Sequence, residues 1–374
     1  MRIAIESTQA ALWEISRIRM AEILEPVRQK VLLSDHRLIS TPHEDVIAPG
    51  QATNLIKDLH QSKGLEVSRG MIEIVDGIVL NDGLTVQVFS PIGVGAAELS
   101  IGPGLLRDGF EPKAELMRRI ERASVLQRAI SLVNVSQYNY FHFASQTLPS
   151  LALMLDQISG SVPVILGGWH AGGNAFSREL IKLLFPGVDA IFLQVGQALS
   201  IDELRGIPPL TTNIFEPGGL ELVREKGRST FVDARTTKSP DVVYLARGDN
   251  ERNRRRLSNE AEVIALLERK WPDIQVLAPG RMPVIEQMRA VAGAEIIIGL
   301  HGAQLTNMIW APRSATVIEI IPDDMESGSV FATLTRALGL NYRESESTGI
   351  MGAHWSVSDQ TAVLHTLATA VQGI

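Results

Sequence analysis

Residues 301–307 read His-Gly-Ala-Gln-Leu-Thr-Asn, a pattern in which a histidine is followed by small and polar residues. The apolar run 296–299 before them predicts a buried strand, and residues 304–310 predict a helix. A helix that follows a strand directly presents free backbone N–H groups and the positive end of its dipole to an anion. We therefore predict a phosphate site at this turn, with His301 donating a hydrogen bond at its edge.

The rest of this predicted site comes from the same turn and from the next strand. The residues expected to line it beside His301 are Gly302, Ala303, Leu305, Thr306 and Asn307. Glu319, near the end of the next predicted strand, is placed to accept hydrogen bonds from ribose hydroxyls. Two alternatives stay open, because His301 is equally consistent with a core histidine bonded to backbone and Glu319 with an ion pair.

A basic cluster follows the predicted strand 242–246, where residues 247–256 hold five arginines and two acids. Arg247 is the best placed to reach a diphosphate, because its planar guanidinium matches the geometry of phosphate oxygens. Arg252 is a candidate for support or for contact with a second substrate. For arginines 254–256, a solvated loop is the favoured interpretation.

A third motif runs from Asn139 to Pro149 and contains His142 and Gln146, four residues apart. That spacing puts the two side chains on one face of a helix. A neutral imidazole, with an ordinary pKa near 6.5, suits a general base at cellular pH. We assign His142 as the candidate base and Asn139 and Gln146 as supporting or acceptor-contacting residues, although a histidine in such a position is more often structural.

Composition and missing motifs exclude several classes of protein. The net charge is −7, which argues against nucleic-acid binding, and the absence of cysteine excludes disulfides, thiolate zinc sites and a cysteine nucleophile. No dinucleotide-binding glycine motif, P-loop, nucleophile elbow or zincin motif is present. Asp-x-Asp, which holds a metal against a sugar nucleotide, is also missing, so we expect neither a metal nor another cofactor.

The elements that must position these motifs alternate between strands and helices. The predicted strands are 130–135, 161–166, 190–195, 242–246, 274–277, 295–299 and 316–321. The predicted helices between them are 141–157, 174–185, 260–270, 283–292 and 304–310. This alternation predicts an α/β fold with two doubly wound parallel sheets, which bind ligands outside the carboxyl ends of their strands. A glycine- and proline-rich stretch, 206–239, is the expected hinge.

The N-terminal part differs from the rest. An amphipathic helix is predicted at 9–32, hairpin turns at Asp76-Gly77 and Asp82-Gly83, and a charged helix at 112–127. The expected domains are an appendage of helix and β-hairpin (1–110), an acceptor lobe (111–225), a donor lobe (226–345) and a C-terminal segment with a helix (346–374). No apolar run is long enough to span a bilayer, and the N-terminus lacks the pattern of a signal peptide, so a cytoplasmic protein is expected.

Taken together and in this order, the three motifs resemble glycosyltransferase family 61. Its signatures are N-x-x-H-x-x-x-D-x-L-P, then Y-[IL]-x-R with a basic loop and N-E, then H-G-A-x-L-T-N with V-x-E-I. Here they correspond to residues 139–149, 244–247 with 259–260, and 301–307 with 317–320. The resemblance covers residues 131–322 and leaves 1–110 unexplained.

The resemblance implies a GT-B arrangement, in which two Rossmann-like lobes face a cleft. The second lobe would bind a nucleotide sugar, with UDP as the expected nucleotide, and the first would supply the acceptor and the base. It also implies inversion at the anomeric carbon without a metal. The expected acceptor is a glycan or lipid-linked saccharide in capsule or other surface polysaccharide synthesis, which allows peripheral contact at the inner membrane face. The sequence gives no prediction of oligomeric state.

One position departs from the family pattern, because Gln146 stands where the family commonly has aspartate. An amide cannot take a proton at physiological pH. Asp156 is a poor substitute, since fourteen helical residues beyond His142 correspond to ~21 Å. Either His142 is the base, or a carboxylate elsewhere serves, or the protein is a catalytically silent nucleotide- or glycan-binding homologue. A sugar-nucleotide epimerase of similar build is a further alternative.

Overall fold

The computed structural model describes residues 39–40, 72–81, 86–89, 122–133, 137–155, 162–168, 174–194, 196–206, 214–231, 240–247, 256–257, 260–322, 330–347 and 354–355. The chain divides into two compact units, one of residues 1–40 and 44–219 and the other of residues 41–43 and 220–374. Each unit has its own β-sheet. Within the described residues, no helix is long and apolar enough to cross a membrane.

The first unit is built on a mixed six-stranded sheet. The described strands of this unit, six in the sheet and two in a separate pair, are β1 (Ile39–Ser40), β2 (Ile72–Asn81), β3 (Val86–Phe89), β4 (Ser124–Ser131), β5 (Val164–Gly167), β6 (Ala190–Leu193), β7 (Ala198–Gly206) and β8 (Ile214–Phe215). The sheet order is β3-β2-β7-β4-β5-β6, and a separate short pair joins β1 to β8. Strands β7, β4, β5 and β6 run parallel, whereas the hairpin of β2 and β3 lies antiparallel at one edge.

Two helical segments connect the parallel strands of the first unit. Residues 140–154 form α1, in which the π turn Phe143–Thr147 separates two α-helical pieces, Tyr140–His142 and Leu148–Met154. The second, α2, is Ala175–Leu184. The buried core draws apolar residues from five neighbouring strands, and they include Val79, Ala129, Ile165, Leu193 and Ile201.

The second unit contains a fully parallel five-stranded sheet. Its strands are β9 (Val242–Leu245), β10 (Arg256–Leu257), β11 (Gln275–Leu277), β12 (Ile296–Leu300), β13 (Thr316–Pro322), β14 (Asn341–Ser347) and β15 (His354–Trp355), with the sheet order β11-β9-β12-β13-β14 and a separate pair of β10 and β15. The helices are α3 (Pro217–Phe231, which begins before the division at residue 219), α4 (Glu260–Lys270), α5 (Val284–Val291), the 3₁₀ helix Ala303–Trp310 and α6 (Val330–Leu338). Buried β9 and β12 are almost continuously apolar, as strands covered on both faces must be.

The central prediction from the sequence, an α/β protein with two mainly parallel sheets, is confirmed. All seven predicted strands overlap β4, β5, β6, β9, β11, β12 and β13. Predicted helix 260–270 coincides with α4, whose first turn carries two acids and whose last turn two bases, as the helix dipole favours. The GT-B arrangement and the domain boundaries stay predictions.

The turn predicted at Asp76-Gly77 is wrong, because both residues lie inside β2. The register with β7 is the same before and after Asp76, with Val75 opposite Glu203 and Gly77 opposite Ile201. Ladder hydrogen bonds along this strand outweigh the local turn preference of Asp-Gly. The hairpin of β2 and β3 therefore extends the sheet of the first unit. The predicted helix 9–32 lies outside the described residues.

The stretch predicted as the hinge, 206–239, contains the division between the two units at residue 219, and within it α3 is a regular helix of 15 residues. Pro217 begins it, where a proline costs no intrahelical hydrogen bond. Gly227 allows close packing, since a Cβ there would lie 2.8 Å from Trp310. Residues 124–127 of the predicted charged helix belong to β4 instead.

Candidate functional site

The topology of the second unit brings two predicted phosphate contacts to one place. From β9 the chain passes through α4 to β11 on one side of β9, and then through α5 to β12 on the other side. The direction of winding reverses between β9 and β12, and open α/β sheets bind ligands outside the carboxyl ends of strands at such a point. Arg247 follows β9, and His301 follows β12.

Arg247 packs directly against the turn after β12. Its Nη1 donates to the backbone oxygen of His301 at 2.9 Å. A Cβ on Gly302 would lie 2.6 Å from the same Nη1, a distance that no side chain permits. A residue larger than glycine would therefore displace the guanidinium from its position on the backbone.

Glu260 supports Arg247 from the first turn of α4. One carboxylate oxygen accepts from the backbone N–H of Arg247 at 3.3 Å and from the hydroxyl of Tyr244 at 3.0 Å. Burial, the charge of Glu260 and this hydrogen bond together raise the pKa of Tyr244 well above its ordinary value, so the phenol stays a donor. The sequence analysis included Glu260 only as part of a motif, and the structure shows that it holds Tyr244 and the backbone of Arg247.

His301 is bonded through its ring to a buried carboxylate. Its Nδ1 lies 2.5 Å from Oε1 of Glu319, and the hydroxyl of Tyr342 donates to Oε2 at 2.7 Å. His301 is 8% exposed and Glu319 is 0% exposed. The ring of Phe331 meets the imidazole edge-on, with centroids 5.3 Å apart. Nδ1 of His301 therefore faces the protein, and Nε2 is the ring nitrogen left for a ligand.

Glu319 does not occupy the position predicted for a ribose contact. Both of its oxygens accept hydrogen bonds from side chains, and no part of it reaches the surface. The structure thus supports the alternative in which Glu319 pairs with a base, here His301. The register between β12 and β13 explains the contact, since it places Glu319 beside Gly299, two residues before His301. Tyr342, the second partner, carries no sequence signal that would have identified it.

The 301–307 turn continues into a helix, as predicted. This helix is of the 3₁₀ type, which the sequence pattern does not distinguish from an α-helix. Leu305, Thr306 and Asn307 are fully buried, so their side chains support the turn from within. The amide of Asn307 donates to Oε1 of Gln287 at 3.1 Å, and Gln287 in turn donates to backbone oxygens of Pro279 and Met282. The turn is held on both sides by polar contacts.

The first unit places His142 at the junction of an α turn and a π turn, a local geometry that is frequent at functional sites. Its Nδ1 lies 2.8 Å from the amide oxygen of Gln146. Asn139 caps the helix start, since its Oδ1 accepts from the backbone N–H of Phe141 at 2.9 Å. The predicted pairing of His142 and Gln146 on one helix face is therefore present, with Asn139 as its anchor.

The environment of His142 favours the neutral imidazole. Burial lowers its pKa, an effect that the hydrogen bond to Gln146 opposes only in part. An amide oxygen only accepts, so this bond assigns the proton to Nδ1 and the lone pair to Nε2. Such a ring can take a proton at Nε2, which is what a general base does.

Gln137 organises this region and was missed in the sequence. Its amide nitrogen donates to the backbone oxygen of Leu132, just after β4, and to the hydroxyl of Thr147 in the π turn at 3.0 Å. Its amide oxygen accepts from Gly167 at the end of β5 at 2.6 Å. One side chain thus joins two strand ends to the helix that carries His142, and no local pattern marks it.

Several predicted positions are not among the residues that the structure describes. Arg252, arginines 254 and 255, Asn259 and Asp156 lie outside the described residues. Among the residues that the structure does describe, no group of three or more histidine or acidic side chains is arranged to hold a metal ion. The expectation of a metal-free reaction stays a prediction.

Comparison with known proteins gives one family and several distant relatives. Residues 140–318 match the family model described as glycosyltransferase 61. An EGF domain-specific O-linked N-acetylglucosamine transferase from Drosophila melanogaster is 30% identical over 29% of this chain and 20% of its own length. A β-1,2-xylosyltransferase from Oryza sativa subsp. japonica is 29% identical over 51% and 37%. A xylan glycosyltransferase from Arabidopsis thaliana is 24% identical over 32% and 24%. The chain therefore spans well under half the length of these relatives.

Proposed function

The chain belongs to glycosyltransferase family 61 over residues 140–318, and from this premise we propose that it transfers a sugar from a nucleotide-sugar donor to a hydroxyl group. The observation that carries the proposal is the turn at the β9–β12 reversal, where Arg247 lies against Gly302. A guanidinium and a helix start together offer a diphosphate the donors it needs.

The donor diphosphate binds at this turn. Arg247 keeps one guanidinium N–H on the His301 carbonyl, which fixes the orientation of its planar fork. Hydrogen-bond donors that are held in place before the reaction stabilise the negative charge that develops on the leaving nucleoside diphosphate. In this proposal the positive charge that stabilises the leaving diphosphate comes from Arg247, so the reaction needs neither a metal nor another cofactor.

His142 is the proposed base of the reaction. The acceptor oxygen attacks the anomeric carbon, the bond from that carbon to the diphosphate oxygen breaks, and the acceptor proton passes to Nε2 of His142. This single displacement inverts the anomeric configuration. The lone pair on Nε2, which the Gln146 contact assigns, supports this role without the aspartate that the family commonly has.

The proposed substrates are a donor and an acceptor, each named by its chemical class. UDP-sugar is the proposed donor, and a glycan or lipid-linked saccharide is the proposed acceptor in surface polysaccharide synthesis, reached from the cytoplasm at the inner membrane face. The relatives include a xylan glycosyltransferase and an EGF domain-specific transferase, and the substrates in these names are those of the relatives. We propose no nucleic-acid partner for this chain.

The test is transfer from a panel of UDP-, GDP- and CMP-sugars to saccharide acceptors, with nucleotide binding measured in parallel by calorimetry. Transfer that His142→Ala abolishes while nucleotide binding persists is the expected result. The catalytically silent homologue, which Gln146 motivates, predicts nucleotide binding without transfer and no effect of His142→Ala. Products formed without an acceptor would instead indicate an epimerase.

A further inference from the structure

We propose that Tyr342 is a positioning residue of the donor site, which acts through Glu319 to hold the His301 ring so that its Nε2 faces the donor diphosphate. Tyr342 lies beyond residue 318, where the family match ends, and beyond residue 322, where the resemblance in the sequence motifs ends. The inference rests on the proposed function, since it specifies how the same site recognises its anion.

The first step concerns Glu319, a fully buried carboxylate between two donors. Burying a charge is costly unless hydrogen bonds compensate for it. His301 lies 2.5 Å from one oxygen and the Tyr342 hydroxyl 2.7 Å from the other. Each donor therefore has an oxygen of its own, and the carboxylate plane is fixed from both sides.

Strand register explains why these residues meet. Glu319 lies opposite Glu344 in the parallel pair of β13 and β14, and Tyr342 is two residues before Glu344. Side chains two residues apart on a strand project from the same face. Tyr342 thus reaches Glu319 diagonally, and the sheet itself sets the distance.

The second step concerns the proton positions on His301. A carboxylate only accepts, so Nδ1 carries a proton in this pair. A ring protonated at Nδ1 alone would present the Nε2 lone pair to the ligand, which cannot donate to a phosphate oxygen. A proton on Nε2 supplies that donor, and the Glu319 carboxylate then lies beside the ring as its ion-pair partner. The edge contact with Phe331 restricts rotation of the ring.

The experiment is a double-mutant cycle on binding of UDP and of inorganic pyrophosphate to the full chain, measured by calorimetry. Tyr342→Phe removes only the hydroxyl, and we expect it to weaken binding of both about fivefold to tenfold. In the His301→Ala background, the same substitution should have no further effect. Tyr138→Phe is the matched control, because its side chain is 53% exposed and belongs to the first unit.

A second readout follows the His301 ring without a ligand. The ¹⁵N shifts of its two nitrogens, assigned by difference with His301→Ala, report the protonation of each, and Tyr342→Phe should change them while Tyr138→Phe should not. Equal weakening by Tyr342→Phe in both backgrounds, or no weakening, overturns the inference. A wild-type protein that binds neither probe contradicts the proposed function, and unchanged ring shifts in Tyr342→Phe then overturn the positioning role independently.

Discussion

The two histidines of interest are held in the same way by partners of different charge. His142 directs Nδ1 to the amide oxygen of Gln146, whereas His301 directs Nδ1 to the carboxylate of Glu319. A neutral acceptor fixes the tautomer without favouring the charged ring, but a carboxylate also stabilises the imidazolium. The first arrangement suits a proton acceptor, and the second suits a donor to an anion. The partner, more than the histidine, therefore distinguishes the two sites.

The largest expected effect is that of removing the base. His142→Ala should lower the transfer rate about 10²- to 10⁴-fold, the usual contribution of a general base, because it removes the imidazole that is proposed to take the acceptor proton. Nucleotide affinity should remain, since the donor contacts belong to the second unit. Single-turnover transfer and calorimetry measure the two quantities separately. A loss of transfer below tenfold would contradict the assigned role.

The next effect concerns the turn beside His301. Gly302→Ala places a methyl group within 2.6 Å of Nη1 of Arg247 and must displace the guanidinium. We expect nucleotide binding to weaken roughly 10- to 100-fold, the scale of a lost charge-assisted hydrogen bond. Gly280→Ala is the control, because a Cβ there meets nothing within 4 Å. Equal affinities of the two variants would rule out this arrangement of Arg247.

The comparison itself is tested by exchanging the neutral hydrogen-bond partner of His142 for a carboxylate. Because burial lowers the pKa of His142, the wild-type rate should fall only when the pH drops below the ordinary histidine pKa of about 6.5. Gln146→Asp gives His142 a carboxylate partner, which favours the charged ring, so the base is lost at higher pH. The acidic limb of kcat/KM should move upward by about one pH unit. A limb that stays in place, or moves downward, would contradict the role of the partner.

The smallest expected effect concerns the anchor of the first site. Asn139→Ala removes the cap on the helix that carries His142 and should lower the free energy of unfolding by about 1 kcal/mol, with a small loss of transfer. Urea denaturation measures the change. Asn139→Asp keeps an oxygen acceptor for the Phe141 N–H and should retain the stability; if both variants lose it equally, the cap is not the cause.

Local patterns predicted those features that depend on local sequence. Apolar runs identified β9, β12 and β13, and the spacing of His142 and Gln146 predicted their contact, because a helix makes residues four apart neighbours. Arg247 and His301 were each found as residues that follow a strand. Their meeting depends on strand order, which a local pattern does not contain.

Contacts set by strand register or by distant packing were not predicted. Glu319 was assigned to a ribose because nothing in the sequence shows that Tyr342 and His301 share its carboxylate. Asp76-Gly77 has a strong turn preference that pairing with β7 overrides. Gln137 acts on partners up to 30 residues away, and its importance follows from the two strand ends and the helix that it joins.

The most direct test of the central claim is acceptor-dependent release of UDP from UDP-sugars by the wild-type protein and by His142→Ala. We predict that the wild type releases UDP in proportion to glycosylated product, and that His142→Ala binds UDP with unchanged affinity but releases almost none. If the wild type binds UDP and transfers nothing from any donor of the panel, or if His142→Ala transfers at the wild-type rate, the account is contradicted.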